Sequence, residues 1–206
     1  MISSRFLRIF LVSVTFFFVL STVTTATPQY PSDMKQYGRF VQMRCFNQEW
    51  RSSIQNVIAR YFDVVNDGIS HRRGRTYGIY VSRSSLRYRV DPFLIAAVMI
   101  QRSRLVWTSS KGDQYGLMGL DWGDNKRWIM EDHPRITSRR ILCKPVLNIR
   151  VGTDLMSRNL EKSGQDYGAM VNRWYDDAPG SAEVIWEHYG NMVHSFQETV
   201  ENEKTP

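Results

Sequence analysis

Residues 90–105 read VDPFLIAAVMIQRSRL. Asp91 followed by Pro92 is a helix start. The Asp side chain can accept hydrogen bonds from the free amides of a first turn, and Pro fits the first helical position because it lacks the N–H that would be left orphaned. The helix is predicted to run to about Ser103. Its apolar residues Leu94, Ile95, Ala97, Val98 and Ile100 nearly encircle it, which predicts a central helix buried on all sides.

Working outward, residues 105–122 are turn-rich, with Gly112, Gly116 and Gly119 among polar residues. A short helix is expected over Asp124–Glu131, ended by His133 and Pro134. Another runs from Asn148 to Leu160 and stops near Gly164. Tyr167–Tyr175 and Ser181 to about Glu198 complete the C-terminal set. Upstream, Met34–Val65 has a helical pattern carried by Val57, Ile58, Tyr61, Phe62 and Val65. Asn66-Asp67-Gly68 is a stop signal, and His71–Arg75 (HRRGR) is read as a basic, solvated turn. No alternating strand pattern, internal repeat or low-complexity block is present. The fold class is therefore mainly α.

Three further stretches follow the first in order: YGLMGL at 115–120, PVLNIRVG at 145–152 and WYDDAPG at 174–180. Together the four resemble the lysozyme-like lytic transglycosylase domain of soluble lytic transglycosylases. That family reads approximately DPxLLxAVIxxESxF, GLMQ, PxxNIxxG and AYNAGPG in the same places. The resemblance covers about Ser82–Gly190. It implies a single helical domain of the goose-lysozyme type, with a cleft. It also implies that Asn148 and Ile149 begin a packing helix.

The family's Glu is its only catalytic carboxylate, and the resemblance sets Arg102 in its place. Asp91-Pro92, Ala97-Val98 and Ser103 all match, which holds the register. Glycoside cleavage needs a proton delivered to the leaving oxygen. In the resembled family one Glu gives that proton and then takes another as the sugar's own hydroxyl closes an anhydro ring. Arg keeps its proton at any workable pH and cannot alternate in this way. Losing a positioned acid–base group costs about 10² to 10⁴ in rate.

Other departures agree with that loss. GLMQ becomes Gly116-Leu117-Met118-Gly119, without the Gln amide that helps hold glycan in the family. Tyr175 keeps the Tyr that lines the family's site, whereas Asp176 replaces its Asn. The candidates for cleft and glycan contact are therefore Arg102, Ser103, Tyr115, Met118, Gly119, Tyr175 and Asp176. Trp107, Trp122 and Trp174 fall nearby, as sugar-stacking faces or as ordinary packing. Asp113, Asp121, Asp124, Asp176 and Asp177 could in principle supply a relocated acid, but capping and turn roles fit them better. A neighbouring Arg102 would also lower a carboxylate's pKa, the wrong direction for an acid.

The N-terminus has the order of a secretory signal over residues 1–26. Arg5 and Arg8 come first, then an apolar run from Ile9 to about Leu20, then an exit with Thr24 and Ala26 at cleavage spacing. An uncleaved anchor is the one membrane attachment the sequence allows. Residues 27–33 read as a leader, 34–80 as an N-terminal helical extension, 81–197 as the transglycosylase-like domain and 198–206 as a polar, frayed tail. The expected location is the periplasm or cell envelope. The net charge is +7, or +5 without Arg5 and Arg8; it suits an anionic envelope polymer or membrane surface, or equally a soluble surface with a modest excess of Arg. Nucleic acid is a poor partner for an exported chain without interleaved aromatic and basic residues. Cys45 and Cys143 could pair in an oxidising compartment, closing a loop of roughly 100 residues worth up to about 4.7 kcal/mol. No cofactor is expected. No metal is expected either, since neither the cysteines nor the histidines have ligand spacing.

These expectations describe an exported, degenerate transglycosylase-like protein that binds peptidoglycan glycan strands or scaffolds an envelope complex. Two alternatives stand beside it. One is an active lytic transglycosylase using a relocated Asp. The other is a purely structural, protein-binding component of a secretion, pilus or flagellar machine.

Overall fold

The computed structural model describes residues 41, 43–45, 47–174 and 180–203. The protein is mainly helical. Eight helices are described here: α1 Arg51–Val65, α2 His71–Tyr88, α3 Pro92–Ser103, α4 Trp122–Asp132, α5 Arg139–Leu142, α6 Pro145–Lys162, α7 Tyr167–Trp174 and α8 Ser181–Asn202. Between α3 and α4 lies a small antiparallel sheet of two-residue strands, β1 Ser110–Lys111, β2 Gln114–Tyr115 and β3 Leu120–Asp121, in the order β1-β2-β3. Strands of two residues are too short to show an alternating pattern.

The central helix begins and ends where its sequence predicts. Asp91 accepts hydrogen bonds from the amides of Phe93 at 2.9 Å and Leu94 at 3.4 Å. Every residue from Pro92 to Ile100 is buried. The helix is covered by α1, α2 and α8. Phe93 meets Phe196 of α8 edge-to-face, with ring centroids 5.5 Å apart. On α8, Ile185, Trp186, Tyr189, Met192, Val193, Phe196 and Val200 form the buried stripe.

Several expectations change. The helical pattern over 34–65 is interrupted, because residues 47–50 form a turn and α1 starts only at Arg51. HRRGR is not a loop. Ser70 accepts from the Arg73 amide at 3.4 Å, and His71–Arg75 are the first residues of α2. That helix was hidden because its buried face is made of Gly74, Gly78, Ser82, Ser84 and Ser85 beside only Tyr77 and Val81. A Cβ on Gly78 would lie 2.9 Å from the Gln55 carbonyl oxygen, so the small residues let α1 and α2 approach closely. The boundary expected between residues 80 and 81 falls inside α2, and one hydrophobic core draws on both sides of it. The tail is helical to Asn202, with Val200 buried. The segments 1–26 and 27–33 lie outside the described residues.

Cys45 and Cys143 are free thiols, so the pairing left open by the sequence is not formed. Cys45 is buried beside Ser85 and Asp91, at the start of α3, and that burial pushes its pKa up. Cys143 precedes α6, whose first turns lie over the loop beyond the other end of α3. Twelve helical residues span about 18 Å, far beyond the reach of a disulfide.

A polar cluster fastens α4 to α6. His133 Nε2 lies 2.8 Å from Asp154 Oδ2, and Arg158 bonds both Asp154 and Asp132 while lying over the Trp128 ring. Burial lowers the His133 pKa more than Asp154 raises it. The contact is therefore best described as a neutral imidazole donating to a carboxylate. Among the described residues, no helix is long and apolar enough to cross a membrane.

Asp91 carries a testable consequence. Burial raises its pKa to about 6, against the hydrogen bonds from Tyr189 and the cap amides. Folding thus favours the protonated carboxyl. The stability this contributes is full below about pH 4 and is lost as the pH climbs through about 6. Asp91→Asn keeps a cap acceptor but has no such loss. Urea denaturation should show the variant gaining on the parent between pH 4 and pH 7; the reverse trend would reject this account.

Candidate functional site

The site is built where α3 ends. Arg102 lies in the last turn of α3 and is half-buried. Two left-handed residues follow at once, Arg104 at φ 47° and Leu105 at φ 65°. They turn the chain sharply away from the helix. Ser103 holds that turn: its hydroxyl donates to the Met99 carbonyl at 2.9 Å and accepts from the Leu105 amide at 3.1 Å. It is buried and points inward, so its role is to shape the turn.

The YGLMG loop is gripped from the other side by α6. Asn148 is fully buried; its Oδ1 accepts from the Met118 amide at 2.7 Å and its Nδ2 donates to the Tyr115 carbonyl at 3.0 Å. Its amide occupies the space a Cβ on Gly116 would need, and Gly116 sits at φ 75°. One helical turn later comes Gly152, where a Cβ would fall 2.5 Å from Met118 Cγ. Positions four apart share a helix face. The Asn and Gly of PVLNIRVG therefore act together: one ties the loop backbone, and the other leaves room for the loop's Met. Met118 is core, not cleft lining.

Arg102 closes the arrangement. Its guanidinium donates to Gln114 Oε1 at 3.2 Å. Its Cδ, Cβ and Cγ come within 3.0 to 3.3 Å of where a Cβ on Gly119 would stand. Gly119 has φ 55°, a conformation that side chains resist. Arg at 102 and Gly at 119 are thus one paired feature: the long side chain fills the space that a residue larger than Gly would claim. Tyr115 forms the outer rim. Its hydroxyl accepts from Arg139 Nη1 at 3.0 Å, and that guanidinium lies 5.4 Å from the ring centroid. Arg139 Nη2 also sits 3.9 Å from Asp113 Oδ1.

The structure therefore brings Arg102, Tyr115 and Gly119 together and turns Ser103 and Met118 inward. Tyr175, Asp176 and Asp177 lie outside the described residues. Trp122 is buried in the core and Trp107 is exposed beyond α3. Asp121 caps α4 by accepting from the Asp124 amide at 2.9 Å, as its turn position suggested. Gln114 and Arg139 were not foreseen, because single polar residues in turns carry no pattern. Asn148 was visible as the start of a helix, but its grip on a loop thirty or more positions upstream was not. Asp91 is a buried carboxylate with a raised pKa, yet it caps the opposite end of α3 from Arg102. Among the described residues, no group of three or more His, Cys, Asp or Glu could hold a metal ion. Compared with family models, curated proteins and solved structures, the chain shows no match.

Removing the Asn148 amide orphans a buried N–H and a C=O. Asn148→Ala should lower stability by roughly 2–4 kcal/mol and speed hydrogen exchange at the Met118 amide. Unchanged exchange there would reject the clamp. The Arg102–Gly119 pairing makes a separate demand. Gly119→Ala should cost about 1–2 kcal/mol in the parent and less beside Arg102→Ala, with a coupling of about 0.5 kcal/mol or more. Strict additivity in that double-mutant cycle would mean the two positions are independent.

Proposed function

We propose that this chain is a degenerate lysozyme-like lytic transglycosylase domain, exported to the cell envelope, which docks on peptidoglycan glycan strands without cleaving them. The observation that carries this reading is the packing of Arg102 across Gly119. The position where the resemblance expects the acid holds a group that cannot release its proton, and the position where it expects a glycan-holding amide holds none. The contacts of Asn148 and Gly152 with the 115–118 loop support the resemblance, because its separate motifs meet in space. The turn-capping role of Asp121 speaks against its use as a relocated acid. In this reading the rim of Tyr115 and Arg139 offers an aromatic face and a guanidinium to the glycan and its carboxylates.

The test mixes the protein with purified cell-wall sacculi beside an active lytic transglycosylase. The protein should sediment with the sacculi, while mass spectrometry of the supernatant finds no anhydro-muropeptides. Release of those products would overturn the loss of catalysis. Failure to sediment would overturn the glycan contact and favour a protein-binding block.

A further inference from the structure

The basic run at the start of α2 plays no part in the reading above, and its helical geometry gives it a definite face. His71 and Arg75 are one turn apart on α2; Asn56 and Arg60 are one turn apart on α1. These two pairs line a hollow of about 290 Å³ between the helices, together with the buried Ala59. The helices meet closely beside it, since a Cβ on Gly74 would lie 3.3 Å from the Ala59 carbonyl oxygen. The walls of the hollow are thus set by backbone packing rather than by loops.

The lining side chains are rich in donors. Arg60 and Arg75 make no side-chain hydrogen bond or ion pair with any described residue. Asp63 is the neighbouring carboxylate, and it is engaged by His71: His71 Nδ1 lies 2.6 Å from its Oδ2. That contact orients the ring and leaves Nε2 as its outer nitrogen. Arg72 and Arg73 add charge next to the hollow, and no acidic residue occupies the first turn of α2.

We propose that this hollow binds a phosphate group, with Arg60 and Arg75 contacting its oxygens from opposite walls and the Asn56 side-chain amide completing the donor set, while His71, tied to Asp63, forms part of the wall. Guanidinium groups approaching from two helices suit an oxyanion that presents oxygens in several directions better than a planar carboxylate, which one guanidinium satisfies. The site is made by side chains of two helices and stands apart from Arg102. The phosphate could belong to a soluble ligand or to an anionic lipid headgroup.

Two titrations separate these sources. The first is calorimetry of the full chain with sodium phosphate, against chloride of matched ionic strength. The second is sedimentation with vesicles of phosphatidylglycerol in phosphatidylcholine, against phosphatidylcholine alone. Saturable phosphate binding without vesicle preference assigns a soluble ligand; preference for the anionic vesicles assigns a lipid headgroup. In either case the Arg60→Ala/Arg75→Ala variant should bind about tenfold more weakly or worse. The charge-matched Arg83→Ala/Arg135→Ala variant should keep the parent's affinity. All four positions are exposed, so the fold should survive the changes. No binding in either arm, or equal loss in the two variants, would overturn the site.

Discussion

Burial of α3 on all sides is the constraint on which the rest of the structure depends. A helix with no solvent-facing stripe has to be enclosed by other elements, and α1, α2 and α8 enclose it. Its ends then become sensitive points, because the free amides of the first turn and the carbonyls of the last turn are also buried or nearly so. Asp91 answers the first problem with its two cap bonds and is itself held by Tyr189, 2.9 Å away. Beyond the other end, Asn66 donates to the Arg104 carbonyl at 2.6 Å, an exposed contact that ties the end of α1 to the turn after α3.

Because α3 is held at both ends, Arg102 is delivered to one place with little freedom. The opposite wall is equally determined. Asn148 and Gly152 fix the 115–118 loop from below, and that loop in turn fixes Gly119 against Arg102. The site is thus a chain of contacts from α6 through the loop to α3. Position 102 is part of this framework, since the Arg102 side chain packs on Gly119 and donates to Gln114.

The basic residues divide into two kinds. Arg158 is fully engaged by Asp132, Asp154 and Trp128 and fastens α4 to α6. Arg60 and Arg75 line a hollow between α1 and α2 and make no side-chain hydrogen bond or ion pair with any described residue. Net charge does not distinguish these roles; neighbours do.

The sequence by itself determined α3, with its Asp-Pro start, its end at Ser103 and its burial, because cap chemistry and an all-round apolar surface are local properties. It also marked the stops at Asn66 and Gly164 and the turn role of Asp121. Only the tertiary structure decided α2, whose buried face of Gly and Ser has no apolar period and becomes a core face solely because α1 lies close enough to need small residues. Tertiary structure likewise decided that Ser103 and Met118 turn inward, that the two cysteines stay apart, and that Arg102 and Gly119 form one feature. Each of these depends on which distant backbone comes to lie alongside, and residues far apart in the chain leave no local pattern from which that can be read.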